Sequence, residues 1–248
     1  MFTQRSYVHL TNVSSPRPIG LIGGVTWMST MDYYRAINEE VSRRLGGVHS
    51  ARLLLVSLDF HDVRALAHRN DEPALLELYA DAAQKLERAG AEALVLCTNT
   101  AHRRAPQLQK RIGIPLLHIA DATGRAAKDS GATTVGLLGT QATMEEPFLR
   151  ERLEQRFGLE VLVPPAADRQ ALDRMIFEEM ARGQFLPAAR HATARLAADL
   201  AGRGAQAVIL GCTELPILLR DVAMPCATLD TARLHAVAAS DFSLQGAS

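Results

Sequence analysis

The sequence predicts an α/β fold of two pseudo-symmetric domains, each with a four-stranded, mainly parallel sheet flanked by helices. Three observations carry that reading. Short apolar runs without polar alternation recur between helical stretches, as parallel strands covered on both faces require. The stretch from Ala91 to Asn99 reappears without a gap from Ala205 to Thr213, an offset of 114 residues. Two further landmarks repeat in the same order: Ile19 to Gly24 as Val135 to Thr140, and Ile114-Pro115 as Met224-Pro225, at offsets of 116 and 110. One such match arises easily by chance among apolar strands, whereas three in one order point to duplication.

Strands are expected at 19–23, 53–57, 93–97 and 116–119, then at 134–139, 160–163, 207–211 and 226–229. Helices fit between them, for example at 29–45, 72–89, 144–156, 169–182 and 187–202, with Gly90, Gly131, Gly158, Gly183 and Gly204 near helix ends, where a left-handed cap favours glycine. The 248 residues suffice for two domains of roughly 100 to 130 residues. We place the first at 18–120 plus 231–248 and the second at 121–230. Residues 1–17, with Ser14, Ser15 and Pro16, are expected to form a flexible tail.

Lys plus Arg equals Asp plus Glu at 27 each, so no net field favours nucleic acid or a membrane surface, and a small molecule is the expected partner. No uncharged apolar run reaches about 18 residues and the polar start lacks a signal-peptide core, which points to the cytoplasm. Cys97, Cys212 and Cys226 form no metal-type cluster, and the histidines are scattered singly, so no metal is expected.

In open parallel sheets ligands bind beyond the carboxyl ends of the strands, here in the cleft between the two domains. Cys212 lies there, followed by Thr213 and Glu214 at a strand-to-helix junction, and its counterpart in the echo is Thr98, not Cys97. A helix N-terminus lowers a thiol pKa from about 8.5, while the Glu214 carboxylate, a candidate to accept or orient the thiol proton, raises it; the sequence does not rank the two. A lone cysteine is more often core filler, but a strand-end position in a repeated motif favours chemistry. Gly23 and Gly24 allow backbone amides to approach a carboxylate, or simply make a tight turn. Their spacing from Gly20 fails the dinucleotide-binding template.

These landmarks, with Thr98-Asn99-Thr100-Ala101-His102 and Gly211-Cys212-Thr213-Glu214, resemble those of the aspartate/glutamate racemases that work without a cofactor. The resemblance covers roughly residues 18 to 242. It implies a site between two α/β domains, a homodimer, and two cysteines flanking the substrate α-carbon, one removing the proton and the other returning one to the opposite face. No pyridoxal phosphate is implied, in keeping with the three lysines, Lys85, Lys110 and Lys128, all falling in predicted helices. Carbanion formation would then rest on hydrogen bonds to the substrate carboxylate, for which Asn99, Thr100, Thr213 and the backbone at Gly24 and Val25 are candidates. Asn and Thr serve equally as helix caps.

The chain departs from the family pattern at the first cysteine, which is Thr98 here, with Cys97 one place earlier. Side chains alternate along a strand, so Cys97 should point away from the cleft. A threonine hydroxyl cannot store a proton as an alkoxide at neutral pH but can relay one through water or Asp59. The Thr/Cys pair resembles the subgroup preferring L-aspartate and L-glutamate. For the side-chain carboxylate, His61 and Arg182 are auxiliary candidates. Two alternatives stand beside the racemase: a single-cysteine decarboxylase resembling arylmalonate decarboxylase, and a binding protein with weak turnover.

Overall fold

The apolar runs pair into two four-stranded sheets, all parallel, in a computed structural model that describes residues 15–245. The first half runs β1 (Ile19–Gly23), α1 (Trp27–Leu45), β2 (Leu53–Ser57), α2 (Phe60–His68), α3 (Glu72–Arg88) and β3 (Ala93–Leu96). A 3-10 turn (Thr100–Arg104), α4 (Ala105–Gln109), β4 (Leu116–Leu117) and α5 (Ile119–Asp129) follow. The second half runs β5 (Thr134–Gly139), α6 (Gln141–Glu145), α7 (Pro147–Phe157), β6 (Glu160–Leu162), α8 (Ala166–Glu178), a 3-10 turn (Met180–Arg182) and α9 (Pro187–Gly202). It closes with β7 (Ala207–Gly211), α10 (Glu214–Leu218), β8 (Ala227–Asp230) and α11 (Thr231–Leu244).

Strand order is β2-β1-β3-β4 in one sheet and β6-β5-β7-β8 in the other, the same winding twice. Register repeats as well: Ile22 pairs with Leu96, and Leu138 with Leu210. Thr98 and Cys212 therefore each lie two residues past an equivalent pair. The central strands β1, β3 and β7 are wholly buried, and β5 is buried from Val135 onward, because helices cover both faces, whereas edge strand β2 leaves Leu55 exposed.

Several boundaries differ from expectation for local reasons. Thr26 accepts a hydrogen bond from the Ser29 amide, so α1 starts at Trp27, two residues early. The helix expected at 144–156 is split at Pro147, which forces Glu146 into extended backbone. The one expected at 169–182 begins at Ala166 and breaks after Glu178, the last turn tightening before left-handed Gly183. Asp230 caps α11, a helix beyond those named from the sequence, by accepting from the Arg233 amide.

α11 packs across α1 and α5, and its Ala236 and Ala239 join Ile19, Leu21, Tyr33 and Cys97 in one core cluster. Of the expected tail, residues 1–14 lie outside the described residues. Arg17 is held in place: its amide donates to the Ser243 carbonyl at 2.8 Å and its guanidinium pairs with Glu92 at 2.7 Å.

Candidate active site

The carboxyl ends of β3 and β7 set the site. The Cys97 amide donates to the Ile22 carbonyl at 2.9 Å, so the strand alternation continues through it. Its side chain is 1% exposed, in the core cluster of Tyr33 and Ala236, and burial pushes its thiol far above the ordinary range. Thr98 is half-buried, and its hydroxyl lies 3.5 Å from that of Thr100. His102 holds this corner. Its Nε2 accepts from the Ile119 amide at 3.2 Å, so Nδ1 carries the hydrogen and donates to the Thr98 carbonyl at 2.9 Å. Burial lowers the imidazole to about 4, leaving it neutral in this role.

Half-buried Cys212 donates from Sγ to Glu214 Oε2 at 2.8 Å, and the Thr213 hydroxyl donates to the same oxygen at 2.8 Å. Burial first, and then the Glu214 charge, push the thiol well above its ordinary value. The structure thus ranks the two opposing effects: α10 is five residues long and opens with the carboxylate itself, so its dipole does not prevail. The resting group is a thiol whose proton already points at an acceptor.

The carboxylate-binding candidates divide. The Gly24 amide donates to Thr30 Oγ1 at 2.8 Å and is therefore not open to a ligand. Gly24 instead permits close approach: at φ +92° an added Cβ would fall 1.9 Å from the Leu58 carbonyl oxygen. The Val25 amide has no partner among the described residues. Asn99 is 5% exposed; its Nδ2 donates to Thr231 Oγ1 at 3.0 Å, which donates onward to the Leu210 carbonyl at 3.0 Å. Its Oδ1 is buried with no partner among the described residues, a strong acceptor awaiting a donor. Thr213 Oγ1 lies 2.8 Å from Ser29 Oγ, joining the two halves.

The auxiliary candidates are less engaged. Exposed Asp59 caps α2 by accepting from the His61 amide at 2.8 Å, and His61 is exposed. Arg182 is exposed in the 3-10 turn that packs against α10. None of the three hydrogen-bonds Thr98 or Cys212 among the described residues. Ser29, Thr30, Thr231 and His102 were not among the site residues expected from sequence. For the first two, the hydroxyl-rich helix start Thr26-Trp27-Met28-Ser29-Thr30 is the available signal. A cavity of about 330 Å³ opens behind Thr213, between α1 and α10, lined in part by Asp32, Arg220 and Asp230; Cys212 and Thr98 do not line it. Among the described residues no cluster of three His, Cys, Asp or Glu side chains is placed to hold a metal ion, and no helix is long and apolar enough to cross a membrane.

The model of the Asp/Glu/hydantoin racemase family matches residues 22–239. The chain belongs to that family. A candidate Asp/Glu racemase from Yersinia pestis is 43% identical and superposes with a TM-score of 0.88, covering 92% of this chain and 100% of that one. An aspartate racemase homologue from Pyrococcus horikoshii OT3 is 31% identical with a TM-score of 0.79, covering 92% and 99%. The glutamate racemase of Deinococcus radiodurans is 29% identical over 154 residues, 60% of this chain and 51% of that protein. The chain spans between about half and two thirds of the curated relatives it first matches. In this family member the echo's strand-end pair is Thr98 and Cys212.

Proposed function

We propose that the protein is a cofactor-independent amino-acid racemase acting on aspartate and/or glutamate, with Cys212 as principal acid/base. The observation that carries the reading is the Cys212–Glu214 contact of 2.8 Å beyond the end of β7, opposite Thr98 in the repeat. Glu214 Oε2 takes the thiol hydrogen, and the thiolate removes the α-hydrogen, re-forming S–H while the C–H electron pair moves into the substrate carboxylate. Water ordered at the Thr98 hydroxyl returns a proton to the opposite face, and the hydroxide left behind takes, through solvent, the proton held on Glu214, which restores the carboxylate and a neutral water. The buried Asn99 Oδ1 suits the substrate ammonium, and the Val25 amide with the Thr100 hydroxyl suits its carboxylate; the Thr213 hydroxyl, expected from sequence to share that role, already gives its one hydrogen to Glu214. His61 and Arg182 are the basic groups nearest in sequence to the two loops that would meet the side-chain carboxylate.

A single thiolate attacks one face, so fast removal is limited to one enantiomer; the Thr/Cys pairing favours the L form. The exposed stripe of Trp27, Met31 and Tyr34 on α1 suits contact between copies, giving the homodimer, and three free cysteines suit the reducing cytoplasm. Incubating each enantiomer of Asp and Glu with wild type and Cys212→Ala, followed by chiral chromatography, tests the reading. Mirror-image amino acid should accumulate with wild type only. Carbon dioxide release from an arylmalonate would support a decarboxylase instead, and binding without turnover would leave a binding protein.

A further inference from the structure

The hydroxyls around Cys212 form one chain whose direction can be worked out. Thr213 has one hydroxyl hydrogen, and it goes to Glu214 Oε2 at 2.8 Å. The 2.8 Å contact between Ser29 and Thr213 must then carry the Ser29 hydrogen, with Thr213 Oγ1 accepting. Ser29 is 4% exposed and its own oxygen lies 3.3 Å from Thr26 Oγ1, so the Thr26 hydrogen completes the series. Every hydroxyl donates toward one carboxylate oxygen, which also receives the Cys212 thiol at 2.8 Å. Thr26 and Ser29 belong to the start of α1, whereas Cys212, Thr213 and Glu214 follow β7, Thr213 lying 184 residues from Ser29 in the chain.

We propose that Ser29 is a positioning residue for the thiol: by donating to Thr213 it fixes the Thr213 hydrogen on Glu214 Oε2 and so sets, from the other half of the molecule, how readily Cys212 loses its proton. The thiol machinery is complete only when the two halves are in contact. Successive donors polarise one another, and a carboxylate that receives a firm hydroxyl bond presses less charge on its neighbour. Without the Ser29 hydroxyl, Thr213 is free to turn, the carboxylate charge is less quenched, and the thiol ionises less readily. Asp32 and Arg35 of α1 and Arg220 beyond α10 also carry charge at this corner, and the substitutions below leave all three in place.

The inference rests on the racemase reading for its consequence but is tested without it. Iodoacetamide labelling of Cys212 against pH, read by peptide mass spectrometry to separate Cys97 and Cys226, reports thiol ionisation whether or not the protein turns over. Ser29→Ala should slow labelling at pH 8 by about three- to tenfold, the range one neutral hydrogen bond carries, and displace the profile to higher pH. In α-hydrogen exchange the same variant should lower kcat while leaving KM near wild type. Thr213→Val should reproduce the displaced labelling profile and Thr213→Ser should not, which keeps the test decisive if Ser29→Ala folds poorly. A folded Ser29→Ala with a wild-type labelling profile, or identical profiles for the two Thr213 variants, would overturn the proposal. A displaced profile in a protein that exchanges no enantiomer of Asp or Glu would support the Ser29 role and count against the racemase reading alone.

Discussion

Replacing Glu214 by Gln should make Cys212 more reactive and the proposed α-hydrogen exchange slower. Glu214 is 8% exposed and near-isosteric with Gln, so the fold should hold. After burial, its charge is the largest cause raising the Cys212 thiol. An ionised partner held against a titrating group moves its ionisation by about one to three pH units, so removing it should raise thiolate-dependent labelling at pH 7 by at least about tenfold. The amide also offers N–H where the carboxylate offered only acceptors, which further favours the thiolate. Yet the proton acceptor is gone, and general-base groups contribute about 10²- to 10⁴-fold, so α-deuterium incorporation should fall at least about a hundredfold. Labelling and exchange would be measured on the same preparation. Labelling that stays equal or slows, or exchange at the wild-type rate, would refute the assignment of Glu214 as the thiol's proton acceptor.

Gly24→Ala should destabilise the protein by at least about 2 kcal/mol in urea unfolding, because positive φ and a contact with Leu58 both penalise a Cβ. A wild-type midpoint would mean that the loop can shift. Cys97→Ala should retain exchange within about twofold and cost about 1 kcal/mol, since only a small buried side chain is lost; a folded but inactive variant would show that the strand register is misread. Stability should fall on acidification below pH 6.5. His102 is lowered to about 4 and His235 to about 3, both by burial, so the unfolded chain binds their protons first. Each contributes stability that is complete above about pH 6.5 and lost at about 1.4 kcal/mol per pH unit as the pH drops toward its folded value. A flat urea midpoint from pH 7 to pH 4.5 would contradict buried neutral imidazoles.

Much of the architecture was legible because strand burial leaves a strong imprint. The echo of Ala91–Asn99 in Ala205–Thr213 placed Thr98 and Cys212 in one register, and side-chain alternation sufficed to turn Cys97 into the core beside Tyr33. What stayed hidden depends on contacts far apart in sequence or on which donor is already engaged. Nothing local to Ser29 announces Thr213, nor Asn99 Thr231. Gly24 looked like an open amide, but Thr30, six residues on, occupies it. The sign of the Cys212 shift needed the length of α10 and the position of one carboxylate oxygen. Pro147, by contrast, was visible and should have split the helix expected at 144–156.

In the proposed reaction one thiol, opposed by a hydroxyl, carries proton transfer at the α-carbon. Time-resolved α-deuterium incorporation in heavy water, followed separately from each enantiomer of aspartate and glutamate, tests it most directly. Wash-in should be fast from one hand, expected to be L, and slow from the other, with both abolished in Cys212→Ala. Equal, rapid wash-in from both hands would contradict it, because a second strong base would then have to serve the Thr98 face.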